Sequence, residues 1–192
     1  MKKLVTVFSC CFIFCTCTHA QVTKTDDGKM KVKTKDDKMK VKDKSGMGNM
    51  MMPYTANYSS DFRVGNPAHA KMVLELWKDY DDNMFDRHTS WFADTMQMIS
   101  SDGSVTKGLA ANMEGVKKWR SSLTSAKSTV DAYMPLRSMD KNEDWVAIWG
   151  SEVDTYPDGH STSMEVHEIW RINKDGKVDF IKQYHGKSPG NP

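Results

Sequence analysis

The chain has 192 residues, of which 39% are hydrophobic and 27% charged, with a formal net charge of +2. That length is enough for one domain with its own core plus an appendage. All four cysteines lie within the first 17 residues, so no disulfide, thiol nucleophile or cysteine metal site is expected in the rest of the chain.

The small net charge hides an uneven distribution. Residues 21–55 hold nine Lys against five Asp, a net charge of +4, whereas residues 56–186 hold fifteen Lys and Arg against twenty Asp and Glu, a net charge of −5. The folded part is therefore acidic, and the basic repeats carry no interleaved aromatic residues for base stacking. Nucleic acid is excluded as a partner on these grounds.

The first twenty residues read as a secretory signal. Lys2 and Lys3 precede an apolar run of about a dozen residues, and a small residue, Ala20, stands before Gln21. That run is too short for a transmembrane helix. Residues 1–20 are predicted to be removed, giving an exported, periplasmic or secreted protein without a transmembrane segment that begins at Gln21. The alternative is a lipid anchor on Cys17.

Residues 21–55 form a Lys/Met-rich tail with the imperfect repeat "DDGKMKVKTK" and "DDKMKVKDK". The segment has too little apolar area to offset the entropy of ordering, which predicts a disordered, mobile spacer. Thioether sulfurs are ligands for Cu(I), and the tail offers Met47, Met50, Met51 and Met52. No His or Cys accompanies them, so we expect neither a metal site nor a cofactor.

Residues 56–188 show the periodicity of a folded domain. Asn66 and Pro67 begin a helical pattern, and the sequence predicts helices over about 67–83, 85–92 and 109–124. One short strand, "TMQMIS", lies between the second and third helices. Four β segments follow, over about 128–138, 144–156, 162–172 and 177–185. This order predicts an α+β fold with the helices on one face of a strongly curved, mostly antiparallel sheet.

The succession "WFADTMQMISSDG", "GVKKW", "DWVAIWGSEVDTY" and "EIWRINKDGKVDFIKQYHG" resembles the nuclear transport factor 2-like (NTF2-like) superfamily. Its SnoaL-like branch, with polyketide cyclases and relatives of ketosteroid isomerases, is the most similar, over about residues 62–186. The resemblance implies a cone-shaped barrel whose open end holds a mostly apolar pocket, often in a homodimer.

One carboxylate interrupts an apolar face of the third β segment of the meander. Met164, Val166, Trp170 and Ile172 alternate with polar residues, and Glu168 falls on their face. Burial should raise the pKa of such a carboxyl, which suits a general acid or base. The resemblance also implies an acid role for Glu168, because this position in ketosteroid isomerases carries an acid that donates a hydrogen bond to the substrate oxygen. The alternative is a structural ion pair with Lys182 or Arg137.

The hairpin that follows decides which side chains join Glu168. A two-residue turn at Asp175-Gly176 would set Glu168 opposite Gln183 and Val166 opposite His185, so that both partners face the cavity. A three-residue turn would reverse their direction. The resemblance also implies that the position of His185 lines the pocket, whereas His167 should point outward.

Further residues are candidates for lining the pocket. Four tryptophans at helix and strand positions could form the pocket wall: Trp77, Trp91, Trp119 and Trp170. Where the isomerases place their catalytic tyrosine and aspartate, this chain aligns Leu76 and Ser100, so steroid isomerisation is not supported. Tyr80, Ser100 and Asp102 are left as pocket-lining candidates.

The remaining charged and histidine positions are expected to be structural. Glu152 and Asp154 are interpreted as an outward acidic stripe, although either face of their strand could be inward. If they faced inward, they would raise the pKa of Glu168 further. The other histidines, His69, His88 and His160, show no ligand spacing and are expected at the surface or in helix packing.

Three functions are consistent with these residues. The first is binding of a small, largely apolar molecule with Glu168 as the main polar contact. The second is a metal-independent lyase, isomerase or hydrolase in which Glu168 and His185 act as acid and base. The third is a non-catalytic association module whose outer sheet face forms a dimer.

Overall fold

The computed structural model describes residues 52–188 in full, together with the backbone of three short strands in the tail. Those strands are β1 (Gln21–Lys24), β2 (Met30–Lys33) and β3 (Lys38–Val41), which form an antiparallel sheet in that order. Short paired strands thus stand where the sequence predicts a spacer, and the mobility of the tail stays a prediction. The predicted signal segment lies outside the described residues, as do Met47, Met50 and Met51.

A second compact unit, Tyr54–Pro192, contains a seven-stranded sheet. Its strands are β4 (Phe62–Val64), β5 (Phe92–Ile99), β6 (Val105–Lys107), β7 (Ser125–Ser138), β8 (Glu143–Thr155), β9 (Ser161–Ile172) and β10 (Val178–Lys187). The order across the sheet is β4-β7-β8-β9-β10-β5-β6, and every pair is antiparallel except β10 and β5. The predicted α+β class and the β7–β10 meander are confirmed.

Two α-helices cover one face of this sheet, which we call the inner face. Helix α1 spans Pro67–Asp81, and its first turn is fixed by Asn66, whose side-chain oxygen accepts from the amide of Ala68 at 3.0 Å. Helix α2 spans Leu109–Ser121. The buried cluster joins α1 to the sheet: Val73 and Leu76 of the helix pack with three sheet residues, Val146, Ile148 and Trp170. No helix among the described residues has the length and apolar character needed to cross a membrane.

The predicted helix over 85–92 is wrong. Helix α1 ends where Asn83 adopts a positive φ of 57°, and the following segment forms turns with one 3₁₀ turn, Thr89–Trp91. The Asp79 carboxylate, 3% exposed, accepts from Arg87 at 2.9 Å and contacts His88 Nδ1 at 2.6 Å. Both side chains are thereby drawn back to the end of α1, so the segment folds over that helix.

The β9–β10 hairpin reaches the predicted register by a different route. Asn173 pairs with Lys177, so the loop has three residues rather than two. The last of the three, Gly176, has the left-handed backbone conformation that such loops require, with φ 75°. That loop alone would shift the pairing by one residue and turn His185 outward. A β-bulge between Val178 and Phe180 inserts the compensating residue.

Candidate functional site

The carboxylate of Glu168 lies on the inner face of β9 and is surrounded by hydrogen-bond donors. Its Oε2 atom accepts from the indole nitrogens of Trp77 at 2.7 Å and Trp170 at 2.9 Å, and its Oε1 atom accepts from Gln183 Nε2 at 2.6 Å. The residue is only 5% exposed. Gln183 stands directly opposite it on β10, as the sequence predicts.

Burial raises the pKa of Glu168 above its ordinary value, because desolvation penalises the charged form. The three donors oppose that shift by stabilising the carboxylate. None of the three donors is a cation. Glu168 is therefore a buried acid held by neutral groups, and its protonation state depends on the balance between these effects.

The structural ion pair considered for Glu168 is not formed. Arg137 instead binds Asp144, with 2.7 Å between Nη1 and Oδ2. Lys182 lies on the outer face, opposite Ile169, with its ammonium 4.9 Å from the ring centroid of Tyr184. Arg137 is paired with Asp144, and Lys182 lies on the other face of the sheet, so neither cation balances the charge of Glu168.

Trp77 reaches Glu168 because the sheet leaves room for its ring. Gly150, on the inner face of β8, has no side chain, and a Cβ there would stand 3.2 Å from Cζ3 of Trp77 and collide with the carbonyl oxygen of Thr129. The bulge of β7 between Val130 and Ala132 brings that carbonyl close. A glycine at this position is thus required for the approach of α1.

His185 shares the inner face with Glu168 but does not hydrogen-bond to it. It stands opposite Val166 on β10 and is exposed, with Nδ1 3.1 Å from the hydroxyl of Ser101. Burial raises the pKa of Glu168, and the three hydrogen-bond donors and then His185 act against that rise. The predicted acid–base pair therefore shares one face of the sheet but is not a hydrogen-bonded dyad.

A second acidic cluster lies on the same face. Glu152 Oε1 accepts from Tyr80 Oη at 3.0 Å, and Tyr80 Oη accepts in turn from Trp119 Nε1 at 3.1 Å. Asp154 is 0% exposed. Burial, and then the adjacent Asp154 carboxyl, raise the pKa of Glu152 to about 8, while burial first and Glu152 second raise that of Tyr80.

The interpretation of Glu152 and Asp154 as an outward acidic stripe is wrong. Side chains alternate between the two faces of β8, and both acids lie on the inner face, the same face as the fully buried Ile148. Trp145 and Trp149 lie on the outer face. Alternation along this strand places the two acids on the same face as Ile148 and Gly150 but does not say which face is inward. Their inward direction follows because the helices cover that face, a tertiary contact that periodicity does not contain.

The other predicted pocket residues divide into two groups. Val166 and Trp170 are buried on the inner face. Trp91 is part-buried and stacks on His88 with 3.8 Å between ring centroids. Ser100 is part-buried at the start of a turn, and Asp102 is exposed in that turn, where its carboxylate accepts from the amide of Ser104 at 2.8 Å. Asp102 thus closes a turn rather than lining the site.

The remaining histidines have local partners or are part-buried. His88 contacts Asp79, as described, and His160 contacts Asp158 in an exposed loop, while His69 is part-buried on α1. Within residues 52–188, no group of three or more His, Cys, Asp or Glu side chains has the arrangement of a metal site.

The outer face of the sheet carries aromatic side chains, as predicted for His167. Its ring stacks on Trp149 at 4.8 Å and faces Tyr184 at 5.6 Å between centroids. A cavity of about 310 Å³ lies along this stack. A smaller one of about 150 Å³ lies by Tyr58, Leu136 and Trp145. Sequence reasoning missed both cavities, which are lined by residues from several strands.

Comparison with known proteins agrees with this architecture. No protein-family profile and no curated protein matches the sequence. Among solved structures, an NTF2-like protein of unknown function from Exiguobacterium sp. 255-15 is 16% identical, with a TM-score of 0.50, covering 60% of this chain and 98% of its own.

Two enzymes are also similar in structure. An M. tuberculosis LEH-like epoxide hydrolase is 9% identical, with a TM-score of 0.53 and coverage of 62% of this chain and 84% of its own. The epoxide hydrolase/cyclase-like enzyme SalBIII, of pyran ring formation in polyether salinomycin, is 14% identical, with the same TM-score and coverage of 62% and 92%. At these identities the likeness establishes the fold, and the chain has the NTF2-like fold.

Proposed function

We propose that this domain binds a small, largely apolar molecule between its helices and the inner face of the sheet, with Glu168 as the main polar contact. The observation that carries the proposal is a carboxyl group 5% exposed among aromatic side chains and without a cationic partner. Pockets that bind small molecules combine apolar walls with a few placed polar groups of this kind.

The hydrogen bonds of Glu168 leave one atom available to a ligand. Oε2 accepts from two indole N–H groups, whereas the single donor to Oε1 among residues 52–188 is Gln183. A carboxylate oxygen has two lone-pair positions, so Oε1 can receive a further donor. In its protonated form, the same oxygen can donate to a ligand carbonyl or hydroxyl.

Binding of the neutral apolar probe N-phenyl-1-naphthylamine tests the proposal. Its fluorescence should rise saturably with the wild-type protein, and Glu168→Gln should weaken that binding, because the substitution changes the polar contact. The matched control is Glu165→Gln, which removes a carboxylate from the outer face of the same strand. No saturable binding to wild type, or equal binding by all three proteins, would contradict the proposal.

Acid–base catalysis by Glu168 and His185, without a metal, is the second candidate. It has one supporting observation, that Glu168 and His185 lie on the same face of adjacent paired strands, opposite Gln183 and Val166 respectively. Because one structural neighbour is an epoxide hydrolase, hydration of styrene oxide is a direct probe. Turnover that is lost in both Glu168→Gln and His185→Gln would support catalysis, and turnover unaffected by either would exclude this pair.

Association of two copies through the outer face is a further proposal. Trp149 is 37% exposed and Tyr184 45% exposed, and both lie beside the outer cavity. Exposed aromatic groups in a contiguous patch are typical of protein interfaces. Light scattering should give a dimer mass for wild type and a monomer mass for Tyr184→Lys; a monomeric wild type would refute it.

A further inference from the structure

The second acidic cluster contains a buried carboxylate whose charge has no partner. Both side-chain oxygens of Asp154 are fully buried, and within the described part of the chain only a protonated Glu152 carboxyl can donate to them. Glu152 stands two residues away on the same face and accepts from the Tyr80 hydroxyl. A buried carboxylate without a cation is costly, so the charge left on this pair is not balanced by the described elements.

The elements around the pair do not supply a cation. On α2, Arg120 directs its N–H groups to the carbonyls of Tyr80, Asp81 and Leu123. On β7, Ser128 opposite Glu152 binds Asp81 of α1. The neighbour of Asp154 on β9 is Thr162, and Glu168 is a further acid on this face. Within residues 52–188, no salt bridge reaches Glu152 or Asp154.

Aromatic rings flank the acidic pair. Trp119 donates to Tyr80, which donates to Glu152, and the Trp77 ring covers Gly150 one inner-face position before Glu152. Trp119 is 47% exposed, so the cluster extends from the surface to the fully buried Asp154. The contacts of Tyr80 and Trp119 are made by their polar edges, so these side chains shield the acids from water without neutralising them.

We propose that the ligand of this domain carries an ammonium group on its apolar body, and that Glu152 and Asp154 bind this group beside the rings of Tyr80 and Trp119. The inference rests on the proposed ligand-binding function and narrows it to amines. An ammonium group supplies three donors, enough for one to each oxygen of Asp154 and one to Glu152.

Proton release should accompany such binding. Without a cation, burial and the neighbouring acid raise the pKa of Glu152 to about 8, so the pair retains a proton at neutral pH. An incoming ammonium favours the ionised pair and displaces that proton. Affinity for the amine should therefore increase as the pH rises toward 8, whereas affinity for a neutral compound of the same shape should not follow this titration.

Three isosteric probes test the inference by calorimetry at pH 7: 1-naphthylmethylamine, 1-naphthylmethanol and 1-naphthoate. We expect wild type to bind the amine about tenfold more tightly than the alcohol, the order of one hydrogen bond to a charged group, and to reject the carboxylate. Heats measured in buffers of different ionisation enthalpy should show a proton released with the amine alone.

The variants Asp154→Asn and Glu152→Gln should lose the preference for the amine while still binding the alcohol, and Glu165→Gln, on the outer face, should keep it. Binding of the alcohol also shows that each variant is folded. A preference that survives in both inner-face variants reflects the acidic surface in general and overturns the inference. The inference is also overturned if wild type binds the amine and the alcohol equally. If Glu168→Gln weakens the binding of both, the proposed function still stands. If wild type binds none of the probes, the proposed function itself fails.

Discussion

Replacing Glu168 with Gln separates the energetic cost of a buried charge from the shape of the side chain. The side-chain oxygen of the introduced glutamine can accept from Trp77 and Trp170 in place of Oε2. Its NH₂ group can donate to Gln183 if the Gln183 side-chain amide flips to present its oxygen. The hydrogen-bond pattern is thus kept. What changes with pH is the titration of one carboxyl group.

The raised pKa of Glu168 determines whether wild type gains or loses stability relative to the Gln variant as the pH rises. In the unfolded chain the group titrates near its ordinary value of 4.5, whereas burial raises its pKa in the folded protein. The folded state therefore binds the proton more tightly, and the resulting stabilisation is present below pH 4.5 and lost as the pH rises through the folded pKa. Wild type should lose about 1.4 kcal/mol per pH unit relative to the Gln variant inside that window.

Urea unfolding of both proteins between about pH 4.5 and pH 8 measures this difference. Fixed costs of the substitution cancel when the free-energy difference at one pH is subtracted from that at another. The charge of Glu168 also contributes to the raised pKa of Glu152, so that pKa is lower in the Gln variant. This change, too, makes wild type lose stability relative to the variant as the pH rises. Glu165→Gln, on the outer face, controls for removal of a carboxylate. A wild type that gains stability over the Gln variant with rising pH would refute the reasoning.

Four further predictions concern particular residues and segments. Gly150→Ala should destabilise the domain by about 2 kcal/mol or more, since the added Cβ meets backbone; unchanged urea unfolding would contradict this. Trp77→Phe removes a donor to Glu168, so its cost, about 1–3 kcal/mol, should be larger at pH 8 than at pH 5, and a pH-independent cost would argue against a charged Glu168. Deleting residues 21–55 should leave the melting temperature nearly unchanged, and a fall of about 5 °C or more would show that the tail stabilises the domain. Mass spectrometry of the exported protein should find Gln21 at its N-terminus, and any other first residue would overturn the predicted cleavage site.

Local patterns in the sequence were sufficient for the α+β class and the order of the meander. Alternation along β9 placed Glu168 with Val166 and Trp170, and the structure has all three on the inner face. The capping pair before α1 likewise located the start of that helix. These features rest on contacts between residues near in sequence, which periodicity and turn chemistry record directly.

The composition of the site was decided by contacts between distant segments. Trp77 and Glu168 are 91 residues apart, and their approach needs the absence of a side chain at Gly150. The register that turns His185 inward depends on two deviations that cancel, a three-residue loop and a β-bulge, and only the second is invisible to turn chemistry. The alternation of β8 grouped Glu152 and Asp154 correctly but could not say which face the helices would cover. That choice belongs to the packing of the whole domain, because one side of a sheet becomes interior only when another element is placed against it.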